Sequence, residues 1–322
     1  MRTATLRRRR AGLTLIELMI SMIVGLLVIS TVTAYVRTTD RNITGAAARQ
    51  DYTRKARFLG IALRRDIGEA GVGIQSMDDW GTVAVFGDTI TVLKVPYDNP
   101  GPGQDPAYNI GLNPSSTTNA TSNATTNCGN SCFRLRRTGS GVALTLQSGM
   151  VAAVTQSTVR RLIVINTVAS GAASDSLAVT YRSTSTFLKR ASIVQSTPLS
   201  GISNTNTTVQ RLDLVAYWRD ASNNLWRATR VNPSTGALQG ELVASGCTAF
   251  TARLIFQDGT TATTADPTVA GHHYTNINGV IVTARFTSDI IDTRINGGVP
   301  LARTYTFRVT PRNLLYERNR GT

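Results

Sequence analysis

One carboxylate stands where a charge is costly. Glu17 is the only charged residue in the 24 positions of 13–36, of which 17 are apolar. An ionised side chain in such a run is expensive, so its expected work is electrostatic: to meet a cation that also lacks water. Gly12 lies five residues before it, preceded by Arg7, Arg8, Arg9 and Arg10. Other reactive groups are few. Cys128 and Cys132, four apart in the loop-like string NCGNSCF, suit a small-loop disulfide in an oxidising compartment. A metal pair there would need further cysteine or histidine ligands, and no cluster lies nearby in the sequence. Cys247, among the apolar neighbours ELVASGCTAF, reads as a buried thiol. His272 and His273, side by side in a polar loop, read as solvated or structural. No Gly-x-Ser-x-Gly elbow, phosphate loop, dinucleotide fingerprint or His-Glu-x-x-His occurs. Neither an enzyme nor a cofactor or metal is expected.

The element that positions Glu17 is a long helix. Twenty-four residues at 1.5 Å each span about 36 Å, enough for a hydrocarbon core of about 30 Å. Arginines on the N-terminal side hold that end in the cytoplasm and send the C-terminal bulk outward. No small-residue cleavage site follows the apolar run, as it would in an ordinary secretory signal. Beyond position 36, Ala48, Tyr52, Ala56, Leu59, Leu63, Ile67 and Ala70 recur every three or four residues, with Arg49, Asp51, Arg54, Lys55, Arg57, Arg64 and Arg65 off that stripe. The helix is therefore expected to continue through residues 37–72 as an amphipathic half, softened at Gly45 and released at Gly71 and Gly73.

From position 82 the period changes to two. Strands are expected at 82–86 and 89–95 around a Gly87-Asp88 turn, then at 133–137, 142–147, 159–168, 176–181, 211–218, 225–231, 249–257, 279–287 and 303–310. Residues 98–130, dense in Pro, Gly, Asn, Ser and Thr, read as a long surface loop. The fold expected is α+β: one N-terminal helix, half in the membrane, whose outer half packs on an extracytoplasmic antiparallel β-sheet domain. Removing residues 1–12, with five arginines and no acid, takes the net charge from +15 to +10. A basic chain can attract DNA, although no aromatic-basic cluster of a nucleic-acid module is present.

The string Gly12-Leu13-Thr14-Leu15-Ile16-Glu17-Leu18 resembles the prepilin-type leader of type IV pilins and type II secretion pseudopilins. The resemblance implies that residues 1–12 are a leader, that a prepilin peptidase cuts between Gly12 and Leu13 and methylates Leu13, and that Glu17 acts in assembly. Leu13 departs from the commoner phenylalanine, and no proline kinks the span. The passages Arg57-Phe58-Leu59, Leu63-Arg64-Arg65-Asp66-Ile67 and Glu69-Ala70-Gly71 look like the helix end of PilW-type minor pilins and the related pseudopilin J. Ala216-Tyr217-Trp218-Arg219, Leu225-Trp226-Arg227 and Glu241-Leu242-Val243-Ala244 follow in that group's order. The resemblance covers both ends of the chain and implies a pilin-like fold over residues 73–322. It implies a structural subunit of a pilus or pseudopilus, with the peptidase, major and minor pilins, the inner-membrane assembly platform and membrane lipid as partners. A tip adhesin or DNA-binding subunit is the remaining alternative.

Overall fold

The computed structural model describes residues 14–96, 107–110, 132–137, 146–156, 159–170, 176–182 and 207–314. Its first element is helix α1 (Leu15–Gly68), 54 residues without a break and about 81 Å long. Proline-free sequence lets it run through Gly25, Gly45 and Gly60. It ends where Gly71 and Gly73 adopt left-handed φ of 78° and 70°, conformations that glycine takes without strain. The chain divides into two compact units, Met1–Asp51 with Ser288–Leu301, and Tyr52–Thr287 with Ala302–Thr322.

In the first unit the segment Ser288–Leu301 lies along the helix. The Asp289 N–H donates to Asp51 Oδ2 at 2.9 Å. Arg294 Nη1 stands 3.9 Å from Asp40 Oδ2, and a side chain at Gly45 would meet Ile295.

The second unit is antiparallel β. Its strands are β1 (Val83–Phe86), β2 (Thr89–Lys94), β3 (Ala107–Ile110), β4 (Cys132–Arg137), β5 (Val151–Gln156), β6 (Val159–Ser170), β7 (Ser176–Arg182), β8 (Thr207–Arg219), β9 (Leu225–Val231), β10 (Leu238–Ala244), β11 (Cys247–Phe256), β12 (Thr261–Ala262), β13 (Ile277–Thr287) and β14 (Ala302–Val309). The long strand β8 organises the larger sheet. Its first half pairs with β3 and β5, and its second half pairs with β2 and β9. Because β5 returns to β8, strands β8, β3, β4, β7, β6 and β5 close into a ring, which removes edges that would otherwise template pairing. Ala152, Val154, Ile163, Ile165, Val179, Tyr181 and Val209 form one core there, and Trp80, Leu93, Leu162, Leu212 and Leu214 belong to another. The smaller sheet runs β12-β11-β13-β14.

The apolar stripe of the helix is buried throughout, from Ala48 to Ala70, with Leu59, Leu63 and Ile67 fully enclosed. The α+β architecture expected from periodicity is thus the one observed: a long N-terminal helix followed by an antiparallel sheet domain. The sheet's contact with the helix is close at Gly60, where a Cβ would come 2.7 Å from Phe307 Cε1 of β14. Gly60→Ala is therefore expected to lose about 1–2 kcal/mol in denaturant titrations, the overpacking cost exceeding the helical gain of alanine. An unchanged or raised midpoint would contradict this contact.

Several strands differ from the sequence reading. Ala107–Ile110, inside the stretch read as loop, form β3; its other residues lie outside the description. Leu146 and Gln147 are not in a strand, while β5 just after them is one that alternation did not flag. With Val151, Ala152, Ala153 and Val154 all buried, this strand lacks the two-residue period of a half-exposed one.

Candidate functional site

Residues that would do work in this chain lie along α1. At its start Thr14 precedes the first turn, and its carbonyl accepts from the Glu17 and Leu18 N–H groups at 3.1 and 3.2 Å. Glu17 therefore sits in the first turn, where the helix dipole favours a negative charge. Four hydroxyls of the apolar half bond back to the helix. Ser21 donates to Glu17 O (2.8 Å), Ser30 to Leu27 O (2.9 Å), Thr31 to Val28 O (2.9 Å) and Thr33 to Ile29 O (2.7 Å). Such bonds satisfy polar groups without a partner chain. Glu17 differs from these four. Among the described residues its carboxylate makes no hydrogen bond or ion pair, and it is surrounded by the exposed side chains of Ile16, Leu18, Met19 and Ile20. Gly12 and Leu13 lie outside the described residues, as does Cys128. Cys132 opens β4 opposite Thr180.

By length and composition this helix can cross a membrane. Residues 7–33 match the family model of the prokaryotic N-terminal methylation motif. The chain carries a prepilin-type N-terminus. No curated protein and no solved structure matches it. The motif supports a pilin- or pseudopilin-type subunit processed by prepilin peptidase, and the apolar helix fits membrane anchoring of such a protein.

At the other end of the prepilin-type helix lies a cluster that sequence reading named only as motif letters. Asp66, its side chain 3% exposed, is held from three sides. Tyr217 of β8 donates its hydroxyl at 2.5 Å, Arg227 of β9 its Nε–H at 2.9 Å, and Arg65 its Nε–H at 3.1 Å. Tyr217 and Arg227 are cross-strand partners, so one β8–β9 pairing presents both to the helix. Burial alone would raise the Asp66 pKa. The hydrogen bonds from Arg227 and Tyr217, the Arg227 charge and the Arg65 bond outweigh it and hold the carboxyl below its usual value. Burial, with the Asp66 hydrogen bond and charge, pushes the Tyr217 phenol up. The available signal was Asp66 itself, an acid adjoining Ile67 on the buried stripe, together with the Tyr and Arg of the two family-like strings.

The remaining candidates have structural partners. Cys247 is a free, buried thiol whose pKa burial pushes up to about 11. The His272 ring stacks on Phe256 at 4.5 Å with its Nε2 3.0 Å from Thr260 Oγ1. His273 Nδ1 is 3.4 Å from Asp78 Oδ1.

Proposed function

We propose that this chain is a PilW-type minor pilin, cut between Gly12 and Leu13, methylated at Leu13 and built into a type IV pilus whose assembly it helps to start. The observation that carries the reading is the placement of Glu17: a carboxylate with no hydrogen bond or ion pair among the described residues, in an apolar run where Ser21, Ser30, Thr31 and Thr33 bond back to the helix. In the fibre, Glu17 meets the N-terminal ammonium of Leu13 on an adjacent subunit, and two poorly solvated charges gain a partner each. The helix holds the chain in the inner membrane with its N-terminus cytoplasmic until major and minor pilins and the assembly platform draw it out. The Cys128–Cys132 pair closes a small disulfide loop in the outer domain. Its work is structural rather than catalytic.

Deletion of the gene tests this reading. Loss of surface pili and of twitching, with protein secretion intact and the chain recovered in sheared pili of the parent, is expected. Loss of secretion with normal pili would replace the reading with that of a type II secretion pseudopilin.

A further inference from the structure

We propose that the outward face of α1 around Phe58 and Ile61 is a docking ridge for the helix of a different subunit, one whose apolar seam is edged by Asp or Glu. The inference rests on reading the chain as a pilin-type subunit, and it adds the kind of neighbour that the chain accepts. It starts from the turn of the helix. Successive residues rotate by about 100°, so Ile61, two positions from both Leu59 and Leu63, points about 160° away from each. Phe58, nine positions from Ile67, points about 180° away from it. The buried stripe and this pair therefore lie on opposite sides of the helix.

What the ridge presents is apolar at its centre and basic at its rim. Phe58 is 58% and Ile61 61% exposed, and their three-residue spacing makes them neighbours on the helix surface. Arg54, Arg57, Arg64 and Arg65 surround them, all exposed. Residues 52–65 hold five cations and no acid. Two of those cations are in use: Lys55 donates to Thr287 O at 3.2 Å, and Arg65 Nε to Asp66 Oδ1 at 3.1 Å. Arg54, Arg57 and Arg64 make no hydrogen bond or ion pair among the described residues. The acids that flank the segment are engaged elsewhere. Asp51 accepts the Asp289 N–H, Asp66 is buried, and Glu69 pairs with Lys94.

That charge pattern selects the occupant. A second copy brought face to face would set Arg54, Arg57 and Arg64 against one another, and like charges across an interface reject the pairing. DNA would meet the arginines but leave Phe58 and Ile61 without a partner, because a phosphate backbone offers them no apolar surface. A helix with apolar residues every three or four positions, edged by carboxylates, satisfies both parts: the pair is covered, and each arginine gains an acceptor. Two apolar side chains make a weak contact in free solution. Subunits held side by side in one membrane or fibre meet at high effective concentration, where a weak, charge-selective contact decides which neighbour is taken.

The test places the photoreactive residue p-benzoylphenylalanine at position 58 of the full chain in its host, and in a control chain at position 242, where Leu242 is 52% exposed. After irradiation, adducts in membranes and in sheared fibres are mapped by mass spectrometry. The expected adduct joins position 58 to the segment that follows the apolar N-terminal run of a different prepilin-type subunit, at residues bordered by Asp or Glu. Arg54→Glu/Arg57→Glu/Arg64→Glu should weaken it at least about tenfold, whereas Arg54→Lys/Arg57→Lys/Arg64→Lys should keep it. Adducts from position 58 on a second copy, on DNA or on lipid in its place would overturn the proposal. So would an adduct undiminished by the charge reversal or equally strong from position 242, and so would the lack of any adduct in a chain recovered from fibres. A chain absent from fibres and without adducts would instead refute the subunit reading on which the proposal rests.

Discussion

A chain carrying Glu17→Ala is expected to be cut after Gly12 and to stay in the membrane, yet to be missing from assembled fibres. On the proposed reading, cleavage depends on the leader charge, the glycine and the apolar run, and alanine leaves all three. Insertion improves, because an ionised carboxylate near the end of an apolar helix is costly and alanine is not. On the proposed reading, what disappears is the partner for an adjacent subunit's ammonium, which then enters an apolar surrounding alone. An uncompensated charge of that kind costs about 3–5 kcal/mol, or at least a hundredfold in an assembly constant. The measurement is the ratio of the variant in sheared pili to that in membranes, with the N-terminus read by mass spectrometry. Pili holding the variant at parental level would sink the electrostatic account of Glu17. An uncut variant would instead place Glu17 in peptidase recognition.

The second large effect is expected at the other end of the same helix. Asp66→Ala removes the acceptor of Tyr217, Arg227 and Arg65 and leaves Arg227, its side chain only 16% exposed, with Glu241 at 3.4 Å as its remaining acid. The expected loss is about 3–5 kcal/mol, as when one member of a buried ion pair is deleted. Combining Asp66→Leu with Arg227→Met should cost less than either change alone, since no charge is then stranded. A double variant as unstable as the sum of the singles would refute pairing as the cause.

The cluster also sets an acid limit. The Asp66 carboxyl sits below its unfolded value of about 3.9 when folded. Its contribution is therefore complete above that value and is lost as pH falls through the folded pKa. In detergent-solubilised full chain, unfolding followed by the fluorescence of Trp80, Trp218 and Trp226 should show an acid-side fall in stability. Asp66→Asn should flatten that fall. An unaltered acid limb would mean that other carboxylates set it.

The helix was legible because its two halves follow simple rules. Residues 13–36 carry nearly uniform apolarity and residues 48–70 a strict three-four spacing, so span, stripe and buried face could be read without tertiary information. Hairpins with short turns were equally plain: Gly87-Asp88 connects β1 to β2, and Gly87 takes φ of 59°. The rest depended on packing that has no local signature. Strand β3 lies in a polar stretch and is held by β4 and β8, one of them a hundred residues later in the chain. Strand β5 is buried on both faces and so does not alternate. Asp66 stood in the sequence only within a family-like string, because its partners come from β8 and β9. Ser288–Leu301 read only as the gap between two strands, since nothing in its composition reveals that Asp40, Gly45 and Asp51 lie beside it.

The pairing of Asp66 with Tyr217 has a further consequence for how the chain is made. The two are 151 residues apart, and synthesis at about 5–20 residues per second separates them by roughly 8–30 s. The helix emerges first and is covered late. During that interval the helix from Tyr52 to Asp66 has none of its partners on β8, β9, β13 or β14, while the apolar half, long enough to cross a membrane, has already been made. Newborn chains thus pass through a stage with an uncovered apolar ridge, in which they are open to proteolysis and to mispairing with one another. The time to maturity is set by arrival of the last strands rather than by the helix.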